Sequence, residues 1–143
     1  PRIEKGYLIL EDMKAEEMIT VSCNMEARFV HANPEVRADE GRVAIMRGPL
    51  VYCLEETDNG RNLSSLYIDT KAGLTEAYED ELLGGVVTVS VKGKRISNTG
   101  WNEDELYKEQ EIQLEDVTLK VVPYCNWGNR KTGEMAVWNK ELL

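Results

Sequence analysis

Basic charge is scarce in this 143-residue chain: 17 Lys and Arg stand against 26 Asp and Glu, a net charge of −9. Such a surface repels a phosphate backbone, which argues against nucleic acid as a partner. Histidine occurs once, as His31, and cysteine three times, as Cys23, Cys53 and Cys125. So few, so widely spaced, they make neither the clustered ligand set of a zinc site nor a disulfide framework. The cysteines read instead as small buried hydrophobes in a reducing compartment, the cytoplasm. No apolar run reaches the roughly 20 residues of a bilayer-spanning helix, so no membrane partner is expected. The opening residues, Pro1-Arg2-Ile3-Glu4-Lys5, lack the apolar stretch of a secretion signal and an initiator Met. The chain is therefore expected to be an excised or processed piece.

What is present is ordinary for a globular domain: 42% hydrophobic and 30% charged residues. The organising stretch is Arg42 to Glu56, RVAIMRGPLVYCLEE. Its apolar runs, Val43–Met46 and Leu50–Leu54, are of strand length and barely alternate, as in strands covered on both faces. Gly48 and Pro49 between them mark a bulge, a kink or a crossing between sheets.

Further strands are expected at Gly6–Leu10 and at Met18–Met25, where Ile19, Val21, Cys23 and Met25 share one face. Arg28–His31, Leu66–Ile68, Val86–Val91, Val117–Tyr124 and Met135–Trp138 also read as strands, with an edge strand at Ile112–Leu114. Turns are expected at Asn33-Pro34-Glu35, Asp39-Glu40-Gly41, Thr57-Asp58-Asn59-Gly60 and Lys92-Gly93-Lys94. Thr75–Leu83 is acidic and weakly helical. Ser97–Gln110 reads as a surface loop, and Cys125–Gly133 as a loop around Trp127. Many short strands and almost no helix predict an all-β fold, an antiparallel, jelly-roll-like β-sandwich, as one domain over residues 1–143.

Chemistry-bearing patterns are sparse. A glycosidase needs two carboxylates flanking a bond. Glu55 with Glu56, and Glu103 with Asp104 and Glu105, are candidates, but with 26 acidic residues such neighbours arise by chance and read as a solvated surface. His31 has no nucleophile near it in sequence and reads as a surface or structural residue. Trp101, Trp127 and Trp138, with Tyr7, Tyr52 and Tyr124, could form a stacking platform for sugars. Trp127 is flanked by Asn126, Asn129 and Arg130, which supply donors and acceptors. Packing of Trp127 on a neighbouring domain is the preferred reading, since large aromatics dominate interface cores.

Two long segments carry a resemblance. His31–Asn59, HANPEVRADEGRVAIMRGPLVYCLEETDN, and Pro123–Trp138, PYCNWGNRKTGEMAVW, resemble the C-terminal region of glycoside hydrolase family 127, the β-L-arabinofuranosidase-like enzymes of bacteria. The spacing between the segments also fits. The opening departs: Gly6 and Tyr7 match, but Met13 stands where the family has Trp, and Glu16-Glu17 near its Gly-Asp turn.

The resemblance implies a C-terminal accessory β-sandwich that is not an enzyme alone and that supports a catalytic (α/α)6 barrel. The family's zinc, nucleophilic cysteine and acid/base carboxylate belong to that barrel. No catalytic or metal residue maps onto this chain, Cys53 included, so no cofactor is expected in it. The expected partners are the N-terminal catalytic domain and a second copy in a homodimer. Arg47, Trp127, Asn129 and Arg130 are the candidate interdomain or sugar contacts, the arginines because they fork hydrogen bonds to carboxylates and carbonyls. An autonomous carbohydrate-binding module is the alternative.

Overall fold

Turn residues cut the chain into short segments, and the computed structural model, which describes residues 1–143, forms eleven strands from them. In chain order these are β1 (Arg2–Glu4), β2 (Tyr7–Ile9), β3 (Ala27–Val30), β4 (Arg42–Arg47), β5 (Leu50–Glu55), β6 (Leu66–Ile68), β7 (Leu74–Glu79), β8 (Val86–Ile96), β9 (Leu114–Pro123), β10 (Met135–Ala136) and β11 (Asn139–Glu141). The α-helix, α1 (Glu56–Asn59), is a single turn, and the other helical segments are three-residue 3-10 turns. The expected all-β sandwich with little helix is what forms.

β1 and β2 make a hairpin apart from the rest. The other nine strands share one hydrogen-bonded network, antiparallel except where β11 runs parallel to β6. The ladder passes from β4 to β5, β9, β8, β6 and β11 and returns to β4, which closes the sandwich on itself. Partner switching makes this closure. β5 pairs with β4 through Leu50–Tyr52 and then with β10 through Leu54–Glu55, while β4 turns to β11 at Arg42 and Val43.

The core follows the two-residue period of a strand. Val43 and Ile45, Tyr52 and Leu54, Leu66 and Ile68, Val89 and Val91, and Leu119 and Val121 form one buried cluster. Ala44, Cys53 and Val122, on the opposite face, are buried as well. Two-sided burial therefore holds over Val43–Ile45 and Tyr52–Leu54, whereas Leu50 and Val51, at the hairpin end, are 38% and 36% exposed. The buried Tyr52 hydroxyl donates to the Val87 carbonyl at 2.7 Å, as a phenol in an apolar core must.

Several expectations give way to tertiary pairing. Gly48 and Pro49 form neither bulge nor kink: Arg47 faces Leu50 across a tight hairpin, and Gly48 supplies its left-handed φ of 54°. The partner change comes later in β5. Thr75–Leu83 is not helical, because β7 pairs with β8 over six residues and its ladder outweighs a weak propensity. Lys92-Gly93-Lys94 is not a turn. β8 runs through it to Ile96, and Gly93 is needed because a Cβ there would collide with the Tyr67 carbonyl oxygen of β6. The strand expected at Met18–Met25 has no ladder partner and does not form; Ile19 and Val21 are 48% and 67% exposed. Ile112 and Gln113 stay outside β9, which begins at Leu114.

Candidate functional site

The loop from Tyr124 to Gly133 leaves the end of β9 and returns to β10, and its shape is set by carboxylates at the far end of β5 and in α1. Glu55 is 4% exposed. It accepts the Gly128 N–H at 2.9 Å through one oxygen and the Arg130 guanidinium through the other. Arg130 also forks onto Asp58, with Nη1 at 2.8 Å from Oδ1 and Nη2 on Oδ2. These Asp58 bonds, followed by those to Glu55, raise the affinity of Arg130 for its proton above the ordinary arginine value. A bidentate fork between two carboxylates is the geometry that guanidinium serves best.

The loop's exit is pinned in the same way. The Glu56 N–H donates to the Glu134 carbonyl at 2.9 Å, and the Glu134 N–H returns a bond to Glu56 Oε2 at 3.0 Å. The Glu134 carboxylate accepts the Leu63 and Asn62 N–H groups at 2.7 and 2.9 Å, which holds its pKa below the usual carboxylate range. Beneath the loop, burial first and then the nearby Glu55 charge push the Cys53 thiol up to about 12. It is an inert packing residue rather than a nucleophile.

On this frame Trp127 stands 42% exposed. It lines a hollow of about 160 Å³ with Glu56, Thr57, Lys131, Thr132 and Met135 among its walls. A second hollow of about 310 Å³ adjoins it through Glu134 and Met135. It is lined by Trp138, Arg42, Leu66 and Lys140, where β4 and β5 have parted.

Of the four residues singled out from sequence, three lie together on this loop. Arg130 is spent on the internal fork, and Asn129 Nδ2 donates to the Asn126 carbonyl at 3.1 Å, leaving Trp127 as the outward group. Arg47 sits at the opposite end of the β4–β5 hairpin, its Nε 2.6 Å from Glu76 Oε2. The other oxygen of Glu76 accepts the Ala27 N–H at 2.7 Å, and the Arg47 bond and then this one lower the Glu76 pKa.

The six aromatics do not assemble into one platform. Tyr52 is in the core, and Trp101 lies in the loop after β8 with Lys108 Nζ 5.6 Å from its ring centroid. Glu55 is the principal residue that sequence reading missed. Taken for part of a solvated acidic surface, it is buried, and its place at the end of an apolar strand was the available signal. Cys23 and Cys125 are exposed rather than buried, and all three cysteines are free thiols. His31 Nε2 lies 3.0 Å from Glu141 Oε2, a structural link between β11 and the end of β3. No group of three or more His, Cys, Asp or Glu side chains is clustered as a metal site requires.

Comparison with known proteins fits this frame. The model of the glycoside hydrolase family 127 C-terminal domain matches residues 27–140. A non-reducing end β-L-arabinofuranosidase of Bifidobacterium longum subsp. longum is 37% identical over 144 residues, covering 96% of this chain and 22% of that protein. The crystal structure of a family 127 β-L-arabinofuranosidase from Geobacillus stearothermophilus T6 matches with a TM-score of 0.78 at 43% identity. That match covers 82% of this chain and 18% of the other. A second family 127 β-arabinofuranosidase structure matches with a TM-score of 0.71 at 34% identity, covering 82% of this chain and 17% of the other. The chain thus spans under a quarter of the length of the enzymes it resembles. It belongs to the glycoside hydrolase family 127 C-terminal domain family.

Proposed function

We propose that this chain is a non-catalytic β-sandwich of a β-L-arabinofuranosidase-like glycoside hydrolase and that it supports the catalytic barrel of that protein. The observation that carries this reading is the surface of residues 1–26. Ile3, Tyr7, Met18 and Val21 are 80%, 74%, 90% and 67% exposed, and the segment lies before the residues matched to the family. So much apolar side chain left in water marks a surface that buries against another body. The barrel is the occupant proposed, with a second copy of the chain as the further partner.

The carboxylates support the non-catalytic part. A glycosidase acid needs its pKa raised. Glu76, Glu79, Glu134 and Glu141 are all shifted the other way, each by donors that tie strands or turns together. On this reading zinc and nucleophile reside in the barrel, and the protein works in the cytoplasm. Turnover of an aryl β-L-arabinofuranoside tests the first part: the longer enzyme hydrolyses it and the 143-residue chain does not. Hydrolysis by the chain alone overturns the reading. Hydrogen exchange tests the second. Residues 1–26 gain protection in the longer protein, and equal exchange in both forms counts against support of the barrel.

A further inference from the structure

From the Trp127 hollow we infer a binding site for a single sugar ring, a function beyond support of a barrel. The argument begins with how firmly the loop is held. A buried Glu55 and the Arg130 fork fix Gly128 and Arg130, on either side of the loop apex, before any ligand arrives. A side chain presented by a preset loop binds without the ordering cost that a mobile one carries.

The walls then identify the ligand. Only two of the ten lining residues, Trp127 and Met135, are hydrophobic. A protein-interface anchor sits in an apolar patch depleted of charge, and this hollow is the reverse. Thr57, Lys131 and Thr132 line it, and their side chains have no hydrogen-bond or ion-pair partner in the protein. Glu56 adds a carboxylate whose position is set by the Glu134 N–H. One flat apolar face beside several free donors and acceptors complements a molecule with a C–H face and a rim of hydroxyls, which is a sugar ring. At about 160 Å³ the hollow is below the ~300–1,000 Å³ of drug-sized sites, and one ring suits it better than an extended oligosaccharide.

The three tryptophans give three indole N–H signals in a heteronuclear NMR spectrum of the 143-residue chain, and these read the site directly. Methyl β-L-arabinofuranoside and methyl β-D-glucopyranoside supply fixed five- and six-membered rings. Sorbitol supplies the hydroxyls without the ring face. At least one glycoside shifts the Trp127 signal saturably while Trp101 and Trp138 stay still, and sorbitol does not. Trp127→Ala weakens binding about tenfold or more, followed at the Gly128 amide, and Trp127→Phe retains part of it. Absence of a saturable shift with either glycoside overturns the proposal, as does an equal response to sorbitol. A third overturning result is loss of solvent access at the Trp127 indole in the longer enzyme, which would make the hollow a protein contact.

Discussion

Val43, Ile45, Tyr52 and Leu54 in the β4–β5 hairpin are at most 2% exposed, whereas Ile19 and Val21, apolar residues at the same two-residue spacing, are 48% and 67% exposed. The two regions read alike as strands. The difference lies in their neighbours. Each arm of the hairpin finds ladders on both sides: β4 with β3, β5 and β11, and β5 with β4, β9 and β10. Residues 11–26 find none. Alternation specifies which face of a strand is apolar, but the strand exists only when another segment satisfies its backbone groups.

The strongest test of this contrast is at the buried end of the hairpin. Arg130→Ala leaves Glu55, whose side chain is 5% exposed, with a charge and no cation. It is expected to cost about 3–5 kcal/mol in urea unfolding. A loss below about 1 kcal/mol would mean that Glu55 reaches water and the loop is not held as described.

Leu54→Ala comes next. Its side chain is fully buried in the core cluster, and truncation is expected to cost about 2–5 kcal/mol. The matching change Val21→Ala should stay within about 0.5 kcal/mol in the 143-residue chain. Comparable losses at both positions would break the comparison.

Gly93→Ala probes the pairing of β6 with β8. The added methyl meets the Tyr67 carbonyl, and the expected cost is about 1–3 kcal/mol, with faster amide exchange in β6. Wild-type exchange there would show that the strands part without penalty.

The smallest effect is that of pH. Glu76, Glu79, Glu134 and Glu141 have folded pKa values below the ordinary 4.5. The folded state therefore binds fewer protons than the unfolded one in that range. Their stabilisation is complete above 4.5 and is lost as pH falls through the lower folded values. The urea midpoint should drop below pH 4.5 with a shallower slope in Glu134→Gln. An unchanged slope would remove Glu134 from the account.

Legibility in the sequence followed range. β6 lay where Leu66–Ile68 predicted, and the Asn33–Glu35 turn is closed by Asn33 Oδ1 on the Glu35 N–H at 2.9 Å, a bond two residues long. Trp127, Asn129 and Arg130 could be grouped from sequence because they sit on one short loop. Glu55 and Asp58 were not, since their bonds to Arg130 span 75 and 72 residues and nothing near either carboxylate announces the cation. Arg47 was picked for an outward contact, and its partner Glu76 lies in a strand whose acidic composition had suggested helix.

By itself the sequence determined the all-β class, the apolar runs that become the two-sided core, and the family segments around residues 31–59 and 123–138. These rest on local period and on motifs read along the chain. Tertiary structure alone decided that β5 leaves β4 for β10, that residues 18–25 form no strand, and that Glu55 is buried against Arg130. Strand pairing and charge burial are set by which distant backbone and counter-ion arrive alongside, and a one-dimensional pattern carries no record of that arrival.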